Sequence, residues 1–159
     1  MKQPQAILVL PHLRIQNANA IGSPLTHGFP SITAFTGVMW ALQRKLAQAD
    51  VPLQLQGVGV VCHHHQEQVY GKGKLYAPSE FNLTRNPVDK DGSTAAIVEE
   101  GRMHLQITLV LAVSEKRLSN TPAALVQSNQ AQLDDWAAKA GDLIAGMRVA
   151  GGSVLPSRP

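Results

Sequence analysis

The sequence contains very few cysteine and aromatic residues. Cys62 is the only cysteine in 159 residues, which excludes an intramolecular disulfide and a cysteine-based zinc site. A lone thiol within an apolar run is usually a small core side chain. Aromatic residues make up 4% of the chain, which argues against the stacking of RNA bases on the central strands of a sheet. Any nucleic acid would therefore have to be bound by the loops.

Long hydrophobic runs are missing as well. Residues 6–10 form an apolar run far shorter than a membrane span, and the N-terminus has no signal-peptide pattern. We therefore expect a soluble, cytoplasmic protein without membrane contact. Apolar residues make up 44% and charged residues 16%, which predicts one ordered domain over residues 1–159. The net charge of +3 is compatible with a polyanionic partner but does not identify one.

The first third of the chain predicts a strand, a loop and a helix. Residues 6–10 are continuously apolar and end at Pro11, which is typical of a central strand covered on both faces. Residues 14–24 are rich in amides and turn formers and predict a loop. Ser31 is a good N-cap for a helix. Five apolar residues spaced three and four apart predict the buried face of that helix: Ile32, Phe35, Met39, Leu42 and Leu46.

Two further strands follow. Residues 53–62 predict a strand with a bulge at Gln56-Gly57, because the alternation of apolar residues changes phase there. Residues 70–95 show no sustained periodicity and predict a long connection. Residues 103–113 alternate cleanly and predict a strand with one covered face and one open face. The open face carries Arg102, His104, Gln106 and Thr108.

The last part of the chain predicts a helix and a short strand. Thr121-Pro122 is a suitable N-terminus for a second amphipathic helix, and residues 147–155 predict a closing strand interrupted by Gly151-Gly152. The order strand, helix, strand, strand, helix, strand predicts an α+β fold of the ferredoxin-like βαββαβ type, as in RRM and RAMP domains. That fold has a four-stranded antiparallel sheet, two helices on one face and, here, a long strand 2–strand 3 connection.

Histidines are the candidates for catalysis or metal binding. On a strand, His63 and His65 point one way and His64 the other, so we expect no metal site and no cofactor. His12, His27, His104 or the triple histidine could act as a general base in a metal-independent ribonuclease. No spacing pairs such a base with an acid, and this alternative stays open.

Arginines and amides are the candidates for nucleic-acid binding. Arginines bind phosphates and amides bind base edges. The backbone N–H groups of residues 151–153 could bind a phosphate close to Arg148. The ordinary alternatives are amides that cap their own loop and glycines that form a tight turn. The predicted RNA-binding residues are Arg14, Gln16, Asn17, Asn19, Asn82, Arg85, Asn86, Arg102, Arg148, Gly151, Gly152 and Ser153.

Four segments together resemble a known family. They are LVLPHLRIQNANAIGSPLT (8–26), FNLTRNP (81–87), DGSTAAIVEEGR (91–102) and MRVAGGSVLP (147–156), in this order. They resemble the Csy-two family, the Cas-five-type subunit of the type I-F CRISPR surveillance complex (Csy complex, or Cascade). The resemblance covers about Ile7 to Pro156. His27 stands where a tryptophan is usual in that family, so a stacking contact is expected to be absent.

The resemblance implies a function in antiviral defence. It implies a non-catalytic, RAMP-type subunit that binds the repeat-derived 5′ handle of the guide RNA (crRNA), while a separate subunit cleaves the precursor. It also implies pairing with the large subunit, contact with the backbone subunits, and access to target DNA through the complex. The family continues past the position of Pro159, so the chain is expected to correspond to the N-terminal portion. A protein-only adaptor is the remaining alternative.

Overall fold

The computed structural model describes residues 4–71, 80–81, 83–85, 88–95, 97–115 and 129–155. Long strands dominate these ranges, together with two helices and several short strands. The elements are β1 (Ala6–Asn19), β2 (Ile21–Ser23), β3 (Thr26–His27), α1 (Ile32–Gln48), β4 (Leu53–Glu67), β5 (Val69–Tyr70), β6 (Glu80–Phe81), β7 (Leu83–Arg85), β8 (Ile97–Glu99), β9 (Arg102–Glu115), α2 (Gln130–Ala145), β10 (Arg148–Val149) and β11 (Gly152–Leu155). No helix in the described ranges is long and apolar enough to cross a membrane.

The main sheet has five antiparallel strands in the order β10-β11-β1-β9-β4. The predicted α+β fold of the ferredoxin-like βαββαβ type, with a four-stranded sheet, is therefore wrong: the described part of the chain is mostly β, with five strands in the main sheet and two helices. The closing strand that the sequence predicts reverses at its centre instead of running through. Ala150 and Gly151 both have positive φ angles, 49° and 79°, which form the two-residue turn of a tight hairpin. This turn separates β10 from β11 and adds the fifth strand.

β1 is much longer than predicted, and the loop predicted over residues 14–24 is wrong. β1 pairs with β9 as far as Asn19, with register shifts between Leu10 and Leu13 and between Ile15 and Ala18. Each shift leaves an extra residue in β1, and such bulges accommodate both a proline and positive φ angles. Because of the two bulges, apolar residues on both sides of each shift reach the covered face.

The other two long strands agree with the sequence pattern. The register of β4 against β9 shifts between Leu55 and Gly57, which confirms the predicted bulge, and shifts again between Cys62 and His64. In β9 the residues on one face are buried: Met103, Leu105, Ile107, Leu109, Leu111 and Val113. Cys62 is exposed, so it is not the core side chain that the sequence predicts.

Both helices contribute to one hydrophobic core with the sheet. α1 begins after Ser31 as predicted and buries Phe35, Val38, Met39, Leu42 and Leu46. Ile32 is 59% exposed, so its assignment to the buried face is wrong. α2 begins after Asn129, whose side-chain oxygen accepts a hydrogen bond from the Gln132 N–H at 2.9 Å. The predicted N-terminus at Thr121-Pro122 lies outside the described residues.

The predicted long connection contains paired strands. β5 pairs with β6, and β7 pairs with β8, each in a two-stranded antiparallel sheet that is separate from the main sheet. Between β7 and β8, Asp91 accepts hydrogen bonds from the N–H of Ser93 at 3.0 Å and from its hydroxyl at 2.7 Å. The side-chain hydrogen bond is the main reason why the pKa of Asp91 is lowered.

Gln43 protects the start of the edge strand β4. Its Nε2 donates to the Leu53 carbonyl at 2.8 Å, and its Oε1 accepts from the Leu55 N–H at 2.5 Å. Because both backbone groups lose their partner in Gln43→Ala, we expect its free energy of unfolding to fall by about 1–2 kcal/mol. Gln48→Ala, at an exposed position of the same helix, should change it by less than about 0.5 kcal/mol. Urea unfolding of both variants measures the difference, and equal values would contradict the proposed contribution of Gln43.

Candidate nucleic-acid interface

The sheet has an outer face that points away from the helices. Strand register places Arg14 beside Gln106, and Gln106 beside His64, in one row across β1, β9 and β4. Side chains directly opposite each other on antiparallel strands point to the same face. This row borders a polar cavity of about 320 Å³. Its lining residues are Arg14, Ile15, Gln16, His64, Gln66, His104, Leu105, Gln106 and Leu155.

A second row lies beside the first. Gln16 is opposite Ser153, and Ser153 is opposite Arg148, so three exposed polar residues cross β1, β11 and β10. Within the part of the chain that the structure describes, the Arg14 and Arg148 side chains have no hydrogen-bond or ion-pair partner. Because β10 is an edge strand, Arg148 also lines a cavity of about 470 Å³ with Asn19, Gly151 and the beginning of α1, so it lies where the outer face meets the helix side of the sheet. The two rows are called the polar outer face below.

The bulges of β1 and β4 bring two histidines together over the central strand. The ring centroids of His12 and His63 are 4.5 Å apart, with an interplanar angle of 31°. Thr108 lies beneath them and is 9% exposed. Its hydroxyl accepts from the His12 N–H at 3.2 Å and is 2.7 Å from Nε2 of His63. Each bulge therefore turns one histidine toward the other.

Two predicted RNA-binding residues, Asn17 and Asn19, make contacts within the chain. Asn17 donates its N–H to Nδ1 of His104 at 3.3 Å, and its side-chain oxygen accepts from Gln68 at 2.7 Å. The Asn19 side chain bonds both the N–H and the carbonyl of Ile21, each at 3.0 Å, which is the local capping that amides often provide. The side-chain amides of both residues are therefore already hydrogen-bonded within the chain.

Arg102 also has partners within the chain. Its guanidinium forms an ion pair with Glu100 and donates to the Asn17 carbonyl at 3.4 Å. The side chains of this pair are each about one-third exposed, at 30% and 32%. An arginine held in this way is less available to a phosphate than the unpaired Arg14.

The two glycines differ in their surroundings. Gly151 has a φ of 79° in the β10–β11 turn. Gly152 is buried against β1, where an added Cβ would lie 2.7 Å from the Ala18 nitrogen, the Gln16 carbonyl oxygen and Cγ2 of Ile15. For Gly152 the structure therefore shows a packing requirement, in addition to any contact with a ligand.

The remaining predicted residues lie at the long connection. Asn82 and Asn86 are outside the described residues, and Arg85 is the last residue of β7, paired with Ile97. His27 is near this region: its Nδ1 is 3.2 Å from Oε1 of Glu67, and its ring meets Phe81 edge-on at 5.5 Å. Among the described residues, no group of three or more histidine, cysteine, aspartate or glutamate side chains is arranged to hold a metal ion.

Several residues around Arg14 are absent from the predicted RNA-binding residues. His64, Gln66, His104 and Gln106 line the same cavity as Arg14. The alternation of β9 already places His104 and Gln106 on the open face, so this pattern was the signal that could have identified them. The pairing of His12 with His63 depends on two bulges and has no comparable signal.

The fold and this surface define a small, mostly β protein with two helices in the described residues, whose main sheet presents arginine, amide and imidazole groups on one exposed face. A family model described as CRISPR-associated protein (Cas_Csy2) matches residues 8–159, so the chain belongs to this family. The chain is 50% identical over 154 residues, 96% of its length, to the CRISPR-associated protein Csy2 of Pseudomonas aeruginosa (strain UCBPP-PA14). It spans 43% of that relative's length. The family predicted from the four segments is confirmed.

Proposed function

We propose that this chain is a non-catalytic, cytoplasmic subunit of a type I-F CRISPR surveillance complex that binds the 5′ handle of the guide RNA. Its protein partners in this proposal are the large subunit and the backbone subunits. Target DNA is reached through the assembled complex. Membership of the family supports the CRISPR-related role. The observation that carries RNA binding is the polar outer face, with Arg14 and Arg148 exposed and unpaired in the described part of the chain.

The geometry suits an extended polyanion. Arg14 and Arg148 are separated by two strand spacings, about 10 Å, and by two residues along the strands, about 7 Å. Guanidinium groups bind phosphate oxygens through charge-assisted hydrogen bonds. Between them lie Gln16 and Ser153, which can donate and accept hydrogen bonds with ribose or base edges. A single strand crossing the face could thus contact two arginines and the polar groups between them.

Arg14→Ala tests this function directly. We expect the affinity for a repeat-derived 5′-handle RNA to fall about tenfold, because one charge-assisted phosphate contact is lost. The slope of log K against log salt should become smaller by about 0.7, the value for one phosphate contact to a single strand. Fluorescence anisotropy at several salt concentrations measures both quantities.

Arg44→Ala provides the matched control, since Arg44 is exposed on α1 and its substitution removes the same charge. Its affinity and salt slope should stay close to those of the unchanged protein. Equal effects of the two variants would mean that only net charge matters, and the assignment of Arg14 would be wrong. Binding of the large subunit that survives RNase treatment, with no measurable handle affinity, would favour a protein-only adaptor instead.

The His12–His63 pair favours a second candidate, metal-independent RNA cleavage. Two imidazoles with ring centroids 4.5 Å apart could act as acid and base on one phosphodiester. If the protein is non-catalytic, we expect no product after prolonged incubation of repeat RNA with excess EDTA. A product that is lost in His63→Gln and retained in His27→Gln would establish cleavage and contradict the proposed function.

A further inference from the structure

The other half of the outer face is apolar and uncovered. Strand register forms two rows, one with Ile7, Ala112 and Gly57, the other with Val9, Val110 and Gly59. Val61, opposite Thr108, continues the surface toward the histidines. Ile7 is 65% exposed, Val9 49% and Val61 47%. These seven residues, Ile7, Val9, Gly57, Gly59, Val61, Val110 and Ala112, are called the apolar outer patch.

The patch adjoins an unpaired strand edge. β11 pairs with β1 only at residues 14–16, so among the described residues the same edge of β1 is free from Ala6 to Leu13. Proteins usually protect such edges with charges, prolines or a covering segment. Pro11 lies near one end of this edge, but residues 6–10 contain neither a proline nor a charge, and none of the seven residues of the apolar outer patch is charged. An apolar surface next to free backbone donors and acceptors is suited to the addition of an extended segment.

An apolar groove lies on the opposite side of this edge. A cavity of about 270 Å³ is lined by Ala6, Ile7, Leu8 and Val9 together with residues of α2 that include Leu133 and Trp136. A segment paired with this part of β1 would therefore find apolar surface on both sides. Its alternate side chains would enter the groove and cover the apolar outer patch.

The direction of β11 indicates which segment fits. β11 is antiparallel to β1 and passes Gln16, then Ile15, then Arg14, so at Leu155 the chain heads along β1 toward Val9. Five residues of strand, about 17 Å, separate Arg14 from Val9. The family match continues to residue 159. The matched segment makes up 43% of the Pseudomonas aeruginosa relative, which is therefore more than twice as long as that segment.

We propose that the part of the longer relative outside the matched segment follows that segment, adds a strand to the free edge of β1 and packs apolar side chains over the apolar outer patch. The added strand runs antiparallel to β1 beside Ile7 and Val9. The apolar outer patch is then an internal packing surface of the longer protein, and the polar outer face remains open beside it. This inference is independent of RNA binding.

Cysteine labelling tests the proposal. Val9→Cys and Val61→Cys are made in a Cys62→Ser background, both in this chain and in a chimera that joins Pro159 to the part of the relative that follows the matched segment. We expect maleimide to label both positions rapidly in this chain and at least tenfold more slowly in the chimera. Gln48→Cys, exposed on α1, should be labelled equally fast in both proteins.

Amide hydrogen exchange provides a readout without substitutions at the patch. Exchange in residues 6–10 should be at least tenfold slower in the chimera than in this chain. Equal labelling and equal exchange in the two proteins would overturn the proposal. It would also be overturned if Val9→Cys were already protected in this chain alone: protection that rises with protein concentration would assign the patch to a second copy, and concentration-independent protection would assign it to residues of this chain.

Discussion

Gly152→Ala is expected to lower the free energy of unfolding by about 3 kcal/mol, at the upper end of the cost of overpacking. An added Cβ would lie 2.7 Å from the Ala18 nitrogen and from the Gln16 carbonyl oxygen. Both atoms belong to the backbone of β1, which cannot retreat without breaking its pairing with β9. β11 must therefore shift away from β1, and the change should also weaken handle binding because Arg148 and Ser153 move with the hairpin.

Gly141→Ala is the matched control for this prediction. Gly141 lies within α2, and no heavy atom would come within 4 Å of an added Cβ. Alanine is favoured over glycine in a helix interior, so Gly141→Ala should raise the free energy of unfolding by about 0.5–1 kcal/mol. Urea unfolding measures both variants. Similar free energies of unfolding for the two variants would show that the close approach of Gly152 to β1 does not affect stability.

The sequence predicted the positions of the long strands better than their lengths. In β4 the change of phase at Gln56-Gly57 indicated a bulge, and the register confirms it. β1 carries the same signal twice. Leu10 and Leu13, and likewise Ile15 and Ala18, are separated by two residues, whereas strict alternation requires one. Local propensity nevertheless favours a loop there, because proline and amides occupy the positions between those pairs. Pairing with β9 overrides that propensity, and β1 runs through.

The five-stranded sheet could be predicted only in part, for a related reason. A strand interrupted by two glycines is compatible both with a bulge and with a hairpin, and the sequence does not distinguish them. The positive φ of Ala150, a residue type that rarely adopts it, decides for the hairpin. The alternative of a tight turn at the glycines is confirmed for Gly151, but because Ala150 is not a typical turn residue, the sequence does not place the reversal at residues 150–151.

The candidate site was predicted by residue type but not by its place in the fold. Arg14 and Gln16 were expected on a loop, whereas both lie on β1 and face outward. Arg102 was expected to contact phosphate, but its ion pair with Glu100 depends on side-chain geometry at the start of β9. Residue type indicates what a side chain can bind, and strand register determines which side chains share a surface.

A double variant is the most demanding test of the polar outer face. Arg14→Ala and Arg148→Ala together are expected to lower the affinity for the 5′-handle RNA about 100-fold, because two contacts of about tenfold each are lost. Residues more than about 10 Å apart without a shared partner usually contribute additively. The salt slope should decrease by about 1.4, twice the value for one phosphate contact to a single strand. Anisotropy titrations of the two single variants and the double variant measure this cycle.

Arg44→Ala combined with Lys45→Ala removes the same charge from exposed positions of α1 and serves as the control. If one RNA strand spans both arginines, the Arg44→Ala/Lys45→Ala control keeps nearly the full salt slope of binding. The Arg14→Ala/Arg148→Ala variant does not. If Arg148 faced a different ligand, its substitution would add nothing to Arg14→Ala. The RNA path across β1, β11 and β10 would then be wrong, even if Arg14 alone still contacted the guide.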